Sequence, residues 1–291
     1  MPVTKTPLRY PDGKSRLFPL MARLLAANGL TGGTWAEPFC GGAGLSMALL
    51  LEGCVSRVVL ADADPVVAAF WQAVRERPED LCAFIGRVDL DLVTWRRCHD
   101  LWAGAAEPSF GLACACLFLS RTNRAGILGA RPMGGMGQTG PWALSDRFNR
   151  QDLEAKVRSI AALADRIEVR WCDATAFMAK VAPTLGPDAV CYLDPPYVAA
   201  GPGLYRRSLS EGDHRALAEA LGRHRGPWAL SYDACPLVDE LYGPYGPMSF
   251  PATYTAQRKR AVEERLVLAG GLRAFKDGLG KAFVEDAVAP L

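Results

Sequence analysis

The sequence predicts an α/β fold in which one mostly parallel sheet is interrupted by an insertion. Short apolar strands alternate with helices in the first third of the 291 residues, and the same alternation returns after residue 165. The segment between them has a different composition, rich in glycine and arginine. We therefore assign residues 1–74 and 165–291 to the sheet domain and residues 75–164 to the insertion.

Local patterns predict the N-terminal elements. Apolar residues at helical spacing predict a helix over 15–28. Trp35 leads into a strand, which a glycine-rich turn and an apolar helix follow. Residues 57–61 form a second predicted strand. Asp64 and Pro65 then start a new helix, because Asp is a good N-cap and Pro suits the first helical position.

The later elements follow the same logic. The segment 75–150 is predicted to hold short, irregular pieces and then a loop from Arg121 to Arg150. Two helices are predicted over 150–164 and 211–222. The remaining predicted strands are 167–171, 189–193, 228–231, 249–254 and 265–268, of which the last two would be joined by a basic loop.

Composition excludes several classes of protein. Hydrophobic residues make up 50% and charged residues 22% of the chain, as in an ordinary globular protein. The longest apolar run, Leu112 to Leu119, is far shorter than the roughly 18 residues of a membrane span. The N-terminus lacks an apolar signal core, so we expect a cytoplasmic protein. Nine cysteines without a C-x-x-C pair, and three histidines, predict free thiols and no metal site.

The strongest chemical signal is Asp194-Pro195-Pro196-Tyr197, directly after the apolar strand 189–193. Ligands of open α/β sheets bind at such strand ends. Because proline has no N–H donor, the turn offers acceptors, namely the Asp194 carboxylate and the Pro195 carbonyl. Such a pair suits an exocyclic amine, whose nitrogen becomes more nucleophilic toward an electrophilic methyl group. Tyr197 can stack on the base that carries the amine, and that base must first leave the double helix.

A glycine-rich turn over 41–44 is the second signal. Glycine lets the backbone approach a ligand closely, and a helix N-terminus follows. The turn is not a dinucleotide fingerprint, because Met47 occupies the position of the third glycine, and no GK[ST] follows. Asp62 ends the next strand, where an acidic residue commonly binds ribose hydroxyls. Together they predict a nucleoside ligand without a pyrophosphate.

Basic residues cluster although the net charge is only +2. Residues 121–150 contain five arginines and one acid, and Arg258-Lys259-Arg260 and Arg206-Arg207 form two further clusters. Basic loops around a base-flipping pocket would neutralise DNA phosphates. We therefore expect Arg131 and the 258–260 loop to contact DNA.

In combination these motifs resemble the Dam-like, class-alpha DNA adenine N6-methyltransferases. The similarity covers most of the chain in the right order: Tyr10 and Lys14, EPFCGGAG at 37–44, Asp62, the arginine- and glycine-rich segment 121–149, DPPY at 194–197, SYD at 231–233 and the C-terminal hairpin.

The resemblance implies a Rossmann-like, S-adenosylmethionine-dependent methyltransferase sheet with a C-terminal β-hairpin, and a mostly helical target-recognition insertion. It implies S-adenosylmethionine as methyl donor, double-stranded DNA as substrate, and a catalytic role for Asp194, Pro195, Pro196 and Tyr197. The residues that it would place beside the cofactor are Tyr10, Lys14, Glu37, Pro38, Phe39, Gly41, Gly42, Ala43, Gly44, Asp62, Ala63, Asp173 and Ala174. Those that would face DNA are Arg121, Asn123 and Arg124.

Other assignments stay open on the sequence. The nearest keeps the chemistry but changes the target to N4 of cytosine or to adenine in RNA. Another is a non-catalytic DNA-binding module of the same fold, and a third is a nicotinamide-dependent oxidoreductase, which the failed fingerprint disfavours. One flipped base per event needs only a monomer, and a cognate restriction endonuclease as partner stays open.

Overall fold

The predicted sheet is present in the computed structural model, which describes residues 5–10, 14–198, 206, 208–254 and 260–274. Its strands are β1 (Thr34–Glu37), β2 (Arg57–Asp62), β3 (Ile167–Trp171), β4 (Ala189–Leu193), β5 (Trp228–Asp233), β6 (Met248–Tyr254) and β7 (Arg260–Ala269). The helices are α1 (Phe18–Ala27), α2 (Gly44–Leu51), α3 (Pro65–Glu76), α4 (Pro78–Arg87), α5 (Leu92–Ala103), α6 (Phe110–Thr122), α7 (Arg150–Ala161), α8 (Ala174–Lys180), α9 (Glu211–Arg223) and α10 (Pro236–Tyr242).

The strand order predicts a ligand crevice at the centre of the sheet. The described strands form one seven-stranded sheet in the order β3-β2-β1-β4-β5-β7-β6. The first five are parallel, and β7 runs antiparallel between β5 and β6. The order reverses between β1 and β4, the point at which open α/β sheets bind ligands. The predicted Rossmann-like fold with a C-terminal hairpin is confirmed.

The central strands are apolar on both faces because helices cover both sides of the sheet. Trp35 of β1 and Tyr192 of β4 project to one face and stack with their ring centroids 5.4 Å apart. Their neighbours Ala36 and Cys191 project to the other face, into a second apolar layer. The register of β1 with β4 brings the ends of the two strands side by side.

The predicted cap of α3 is confirmed, and the helix is longer than the predicted domain boundary allows. The Asp64 carboxylate accepts a hydrogen bond from the backbone N–H of Val66 at 2.9 Å. The helix continues to Glu76, so the boundary at 74 falls inside it. The division into a sheet domain and an insertion remains a prediction.

The prediction of short, irregular pieces is wrong for residues 78–122, which hold three helices. The last of them, α6, starts at Ser109, whose hydroxyl accepts from the backbone N–H of Leu112 at 3.3 Å. Residues 112–120 of this helix are all buried. A helix buried all round has no polar stripe, so the pattern that predicts surface helices does not detect it.

Membrane-spanning helices, disulfides and metal clusters are absent from the described part of the chain. No described helix is long and apolar enough to cross a membrane. All nine cysteines are described, and each is a free thiol. Within the described ranges, no three His, Cys, Asp or Glu side chains are grouped so that they could hold a metal ion.

Candidate active site

Asp194 directly follows the last residue of β4, and side chains from other parts of the chain hold its carboxylate. Its Oδ1 atom accepts a hydrogen bond from Ser231 Oγ of β5 at 2.7 Å. Ser231 Oγ is in turn 2.7 Å from the hydroxyl of Tyr192. Lys14 Nζ lies 3.2 Å from the same Oδ1 atom. Among the described residues Oδ2 accepts no hydrogen bond, so one oxygen is held and the other is available.

The environment makes this carboxyl group a weaker acid than usual. Burial raises the pKa of Asp194 to about 6, although the Lys14 ammonium opposes the rise. The nearby Glu264 carboxylate raises the pKa of Asp194 further, whereas the hydrogen bond from Ser231 lowers it. Near neutral pH the group is therefore mostly an ionised acceptor.

Lys14 joins the N-terminal segment to the DPPY turn. Its side chain is only 3% exposed, and its ammonium donates hydrogen bonds to the Tyr197 hydroxyl and to Glu264 Oε1. The Tyr197 hydroxyl donates to the same Glu264 atom at 3.0 Å. The turn is also held at its far end, where the backbone N–H of Val198 donates to Asp233 at 3.2 Å. The resemblance assigns Lys14 to the cofactor pocket, and the contacts of its ammonium are with Asp194, Tyr197 and Glu264.

Glu264, on β7, was not among the residues singled out from the sequence. It is fully buried. It lies two positions before Leu266 on a strand, so the two side chains share a face, and Leu266 belongs to the core. An acid on the apolar face of a strand is a signal that the sequence contains. Its partners, however, are distant along the chain.

The glycine-rich turn adopts backbone conformations that explain its composition. Gly41 has φ of +44°, and the Tyr10 ring lies against it, so that a Cβ atom there would be 2.7 Å from Tyr10 Cε1. Gly41 N–H donates to Asp62 Oδ2 at 3.0 Å, and its carbonyl accepts from the Trp71 indole at 2.9 Å. The structure thus brings together Tyr10, the turn and Asp62, as the resemblance implies.

Three carboxyl groups with raised pKa values lie at neighbouring strand ends. Burial raises the pKa of Glu37, at the end of β1, to about 8, although a hydrogen bond from Ser46 opposes the rise and the charge of Asp194 adds to it. Burial likewise raises the pKa of Asp62 to about 7, against hydrogen bonds from the backbone N–H groups of Asp64 and Gly41. We call these three strand ends the acidic crevice; a cation bound beside them would favour the ionised forms of the carboxyl groups.

The ends of β2 and β3 lie side by side at the edge of this crevice. Asp62 pairs with Trp171 in the sheet, and the Trp171 indole donates to the carbonyl of Ala63 at 3.3 Å. Asp173 follows and caps α8 by accepting from the backbone N–H of Ala176 at 2.9 Å. Both predicted cofactor segments, 62–63 and 173–174, therefore face one edge. The indole of Trp171, 43% exposed beside them, was not predicted as a site residue.

Two predicted DNA-contacting arginines lie together on the surface of the insertion. Arg124 N–H donates to the carbonyl of Arg131 at 3.1 Å, next to an antiparallel bridge between Asn123 and Pro132. Both arginine side chains are exposed. The structure adds an exposed pair that sequence reasoning missed, the Trp142 ring with the Arg147 guanidinium 5.7 Å from its centroid.

Two other predicted DNA contacts point inward. Asn123 is fully buried, accepts from the Trp95 indole at 2.6 Å and donates to two backbone carbonyls. Its amide closes the turn after α6, so it makes internal contacts in this structure, and its contact with DNA stays a prediction. Arg121 donates to the carbonyl of Pro7 at 2.6 Å, and burial lowers its pKa to about 10. It holds the N-terminal segment in place, and its contact with DNA stays a prediction.

The other basic clusters are only partly described. Arg206 donates to the carbonyls of Trp102 and Ala105 at the end of α5, so it makes internal contacts. Arg207, Arg258 and Lys259 lie outside the described residues. Of Arg260 only the backbone, at the start of β7, is described.

Comparisons with known proteins give one sequence family. The model of the D12 class N6 adenine-specific DNA methyltransferases matches residues 10–255. No curated protein matches the sequence.

Among solved structures the chain is similar to a putative RNA methyltransferase from Pyrococcus horikoshii, with 8% identity and a TM-score of 0.41, over 90% of this chain and 83% of that one. It is also similar to an rRNA methyltransferase from Streptomyces viridochromogenes, with 16% identity and a TM-score of 0.43, over 90% of this chain and 87% of that one.

Proposed function

The chain belongs to the D12 class of N6 adenine-specific DNA methyltransferases, and on that premise we propose the reaction and its residues. The protein transfers a methyl group from S-adenosylmethionine to N6 of an adenine that has flipped out of double-stranded DNA at a specific site. The observation that carries this proposal is the Asp194 carboxylate, whose Oδ1 is held by Ser231 and Lys14 while Oδ2 remains available beside the Pro195 turn.

The DPPY residues prepare the amine. Asp194 Oδ2 and the Pro195 carbonyl accept the two N–H bonds of the adenine amine, which draws the nitrogen lone pair out of conjugation with the ring. Tyr197 packs against the flipped base. The amine needs no strong base beforehand. As the N–C bond forms and the bond between methyl and sulfur breaks, the nitrogen becomes positively charged, and only then does it lose its proton to water. Catalysis is then mainly positioning together with electrostatics.

The acidic crevice fits S-adenosylmethionine, whose sulfonium and ammonium groups are cationic. The carboxyls of Glu37, Asp62 and Asp194 all have raised pKa values, so a cation nearby stabilises their ionised forms. The turn 41–44 would hold the methionine part, Asp62 the ribose, and the 173–174 segment the adenine. The bound cofactor would supply an electrophilic methyl group.

Basic and aromatic side chains of the insertion form the proposed DNA surface. Arg124 and Arg131 are exposed side by side, and Arg147 lies over the exposed Trp142 ring. Arginines neutralise phosphates, and an exposed aromatic ring can stack on bases. The 258–260 loop belongs to this proposal from its sequence alone.

The proposal extends to organisation and location. The insertion 75–164 acts as the target-recognition region and the remainder as the catalytic domain. One monomer acts on each flipped base, in the cytoplasm. A restriction–modification role would require a cognate endonuclease.

Nucleoside mass spectrometry tests the reaction directly. The protein is expressed in a host that lacks adenine methylation, with Asp194→Ala as the control, and DNA and RNA are digested separately. We expect N6-methyladenine in DNA with the unchanged protein only, and S-adenosylmethionine binding that survives in the variant. N4-methylcytosine, or methylation confined to RNA, would overturn the substrate. Absence of any modified base would favour a non-catalytic module, and near-normal turnover of Asp194→Ala would refute the mechanism.

A further inference from the structure

Strand β7 contributes to the crevice a buried carboxylate that the proposed reaction leaves without a role. Glu264 is fully buried, and it lies on the same face of β7 as the core residue Leu266. The Tyr197 hydroxyl donates to its Oε1 atom at 3.0 Å. Two cations approach the same atom, Lys14 Nζ at 3.3 Å and Arg16 Nη2 at 3.6 Å.

A buried carboxylate needs an explanation, because removing its charge from water is costly unless it is paired. Here the partners of Glu264 Oε1 include two groups that flank the proposed base pocket, Lys14 and Tyr197. Lys14 forms ion pairs with both Glu264 and Asp194. The Tyr197 hydroxyl accepts a hydrogen bond from Lys14 and donates one to Glu264. A well-packed apolar residue would stabilise the strand equally well, so the contacts themselves suggest the function.

We infer that Glu264 is a positioning residue for the proposed methyl transfer. It fixes the Tyr197 ring and the Lys14 ammonium before the base enters, so that the stacking surface and the cation beside Asp194 are already in place. Preorganised groups accelerate a reaction because they need no rearrangement at the moment it occurs. This inference rests on the proposed function.

The charge of Glu264 also reaches Asp194. The charged and titratable groups that interact with Asp194 come from five elements: Lys14, Glu37 of β1, Tyr192 of β4, Tyr232 of β5 and Glu264 of β7. Burial is the main cause of the raised pKa of Asp194, Lys14 opposes it, and Glu264 adds to it. A neutral residue at position 264 therefore lowers this pKa.

The test compares Glu264→Gln with Glu263→Gln. Glu263 precedes it on the same strand, is 58% exposed and pairs with Arg265 at 2.8 Å, so it is a matched control outside the crevice. We expect Glu264→Gln to lower kcat about ten-fold, as for the loss of one charge-assisted hydrogen bond. The acid limb of its pH profile should move to lower pH, and its affinity for S-adenosylmethionine should stay the same. Glu263→Gln should match the unchanged protein in kcat, in the position of the acid limb and in the affinity for S-adenosylmethionine.

A second variant separates positioning from simple structural support. Tyr197→Phe keeps the ring and removes the hydroxyl that Glu264 holds, so the losses of kcat from Tyr197→Phe and Glu264→Gln should be less than multiplicative in the double variant. The adenine analogue 2-aminopurine, placed at the mapped target, should fluoresce more brightly with either single variant because stacking on residue 197 is looser.

The outcomes are distinct. A Glu264→Gln variant with unchanged kcat and an unmoved acid limb would overturn the inference. So would independent, multiplying losses in the double variant. If Glu264→Gln does not fold, Tyr197→Phe takes its place as the test, because it removes the same hydrogen bond. An unchanged kcat in Tyr197→Phe would then overturn the inference. Failure of the unchanged protein to methylate DNA would instead refute the proposed function.

Discussion

Replacing Lys14 by methionine should move the acid limb of methyl transfer to higher pH. Methionine fills a similar volume but carries no charge and donates no hydrogen bond. Lys14 Nζ lies 3.2 Å from Asp194 Oδ1, and the two side chains are only 3% and 18% exposed. The ammonium therefore stabilises the carboxylate directly, and its removal favours the protonated acid.

The size of the shift follows from this distance. Two unit charges 3.2 Å apart interact by about 5 kcal/mol at an effective dielectric constant of about 20. Since one pKa unit corresponds to about 1.4 kcal/mol, this sets an upper limit of about 4 units. An adjacent opposite charge commonly shifts a carboxyl pKa by about 1–3 units. From its value of about 6, the pKa of Asp194 should rise to about 7–9.

The sign of the pH effect is defined by the role of the carboxylate. Above its pKa Asp194 is ionised and accepts from the amine, and below its pKa the proton blocks that bond. Activity is therefore lost as pH falls through the pKa, and the loss should begin at higher pH in Lys14→Met. Single-turnover transfer of labelled methyl groups, with both substrates saturating, measures this limb without interference from product release.

Controls separate this effect from unfolding. Lys5→Met removes an exposed lysine that pairs with Glu52 at 2.7 Å, and it should leave the profile unchanged. Loss of Lys14 leaves Glu264 with less cationic compensation, which can destabilise the fold by about 3–5 kcal/mol. The double variant with Glu264→Gln removes that imbalance. A folded Lys14→Met enzyme whose acid limb stays in place or moves to lower pH would refute the reasoning.

Three further changes test other parts of the molecule. Asn123→Ala should lower the free energy of unfolding by about 2–4 kcal/mol in chemical denaturation, because it leaves the Trp95 indole and two backbone carbonyls without hydrogen-bond partners. Unchanged stability would contradict the structural role of Asn123. Asp62→Ala should weaken S-adenosylmethionine binding about ten-fold in calorimetry, whereas equal affinity would exclude it from the ribose site. Replacing Arg124 and Arg131 by glutamine should reduce the slope of log affinity against log salt by about 1.8, and an unaltered slope would show that neither touches phosphate.

Strand positions and the DPPY turn were predictable because their signals are local. The predicted strands 167–171 and 189–193 coincide with β3 and β4, since β-branched and apolar runs bounded by polar turns need no distant partner to be recognised. Asp64 and Pro65 marked the start of α3 for the same reason. The buried helix α6 was missed because a helix that is buried all round lacks the polar stripe that a surface helix shows.

Some features of the candidate site were likewise predictable from local sequence, and others depend on the tertiary structure. The sequence by itself determined which groups end each strand, and parallel strands necessarily bring those ends to one edge of the sheet. Only the tertiary structure decided that Asn123 turns inward and that Lys14 meets Glu264, 250 positions away along the chain. That contact exists because β7 runs antiparallel beside β5, next to the strand that carries DPPY. Periodicity and spacing report what a residue's neighbours along the chain require, whereas the pairing of buried charges depends on which strands the fold places side by side.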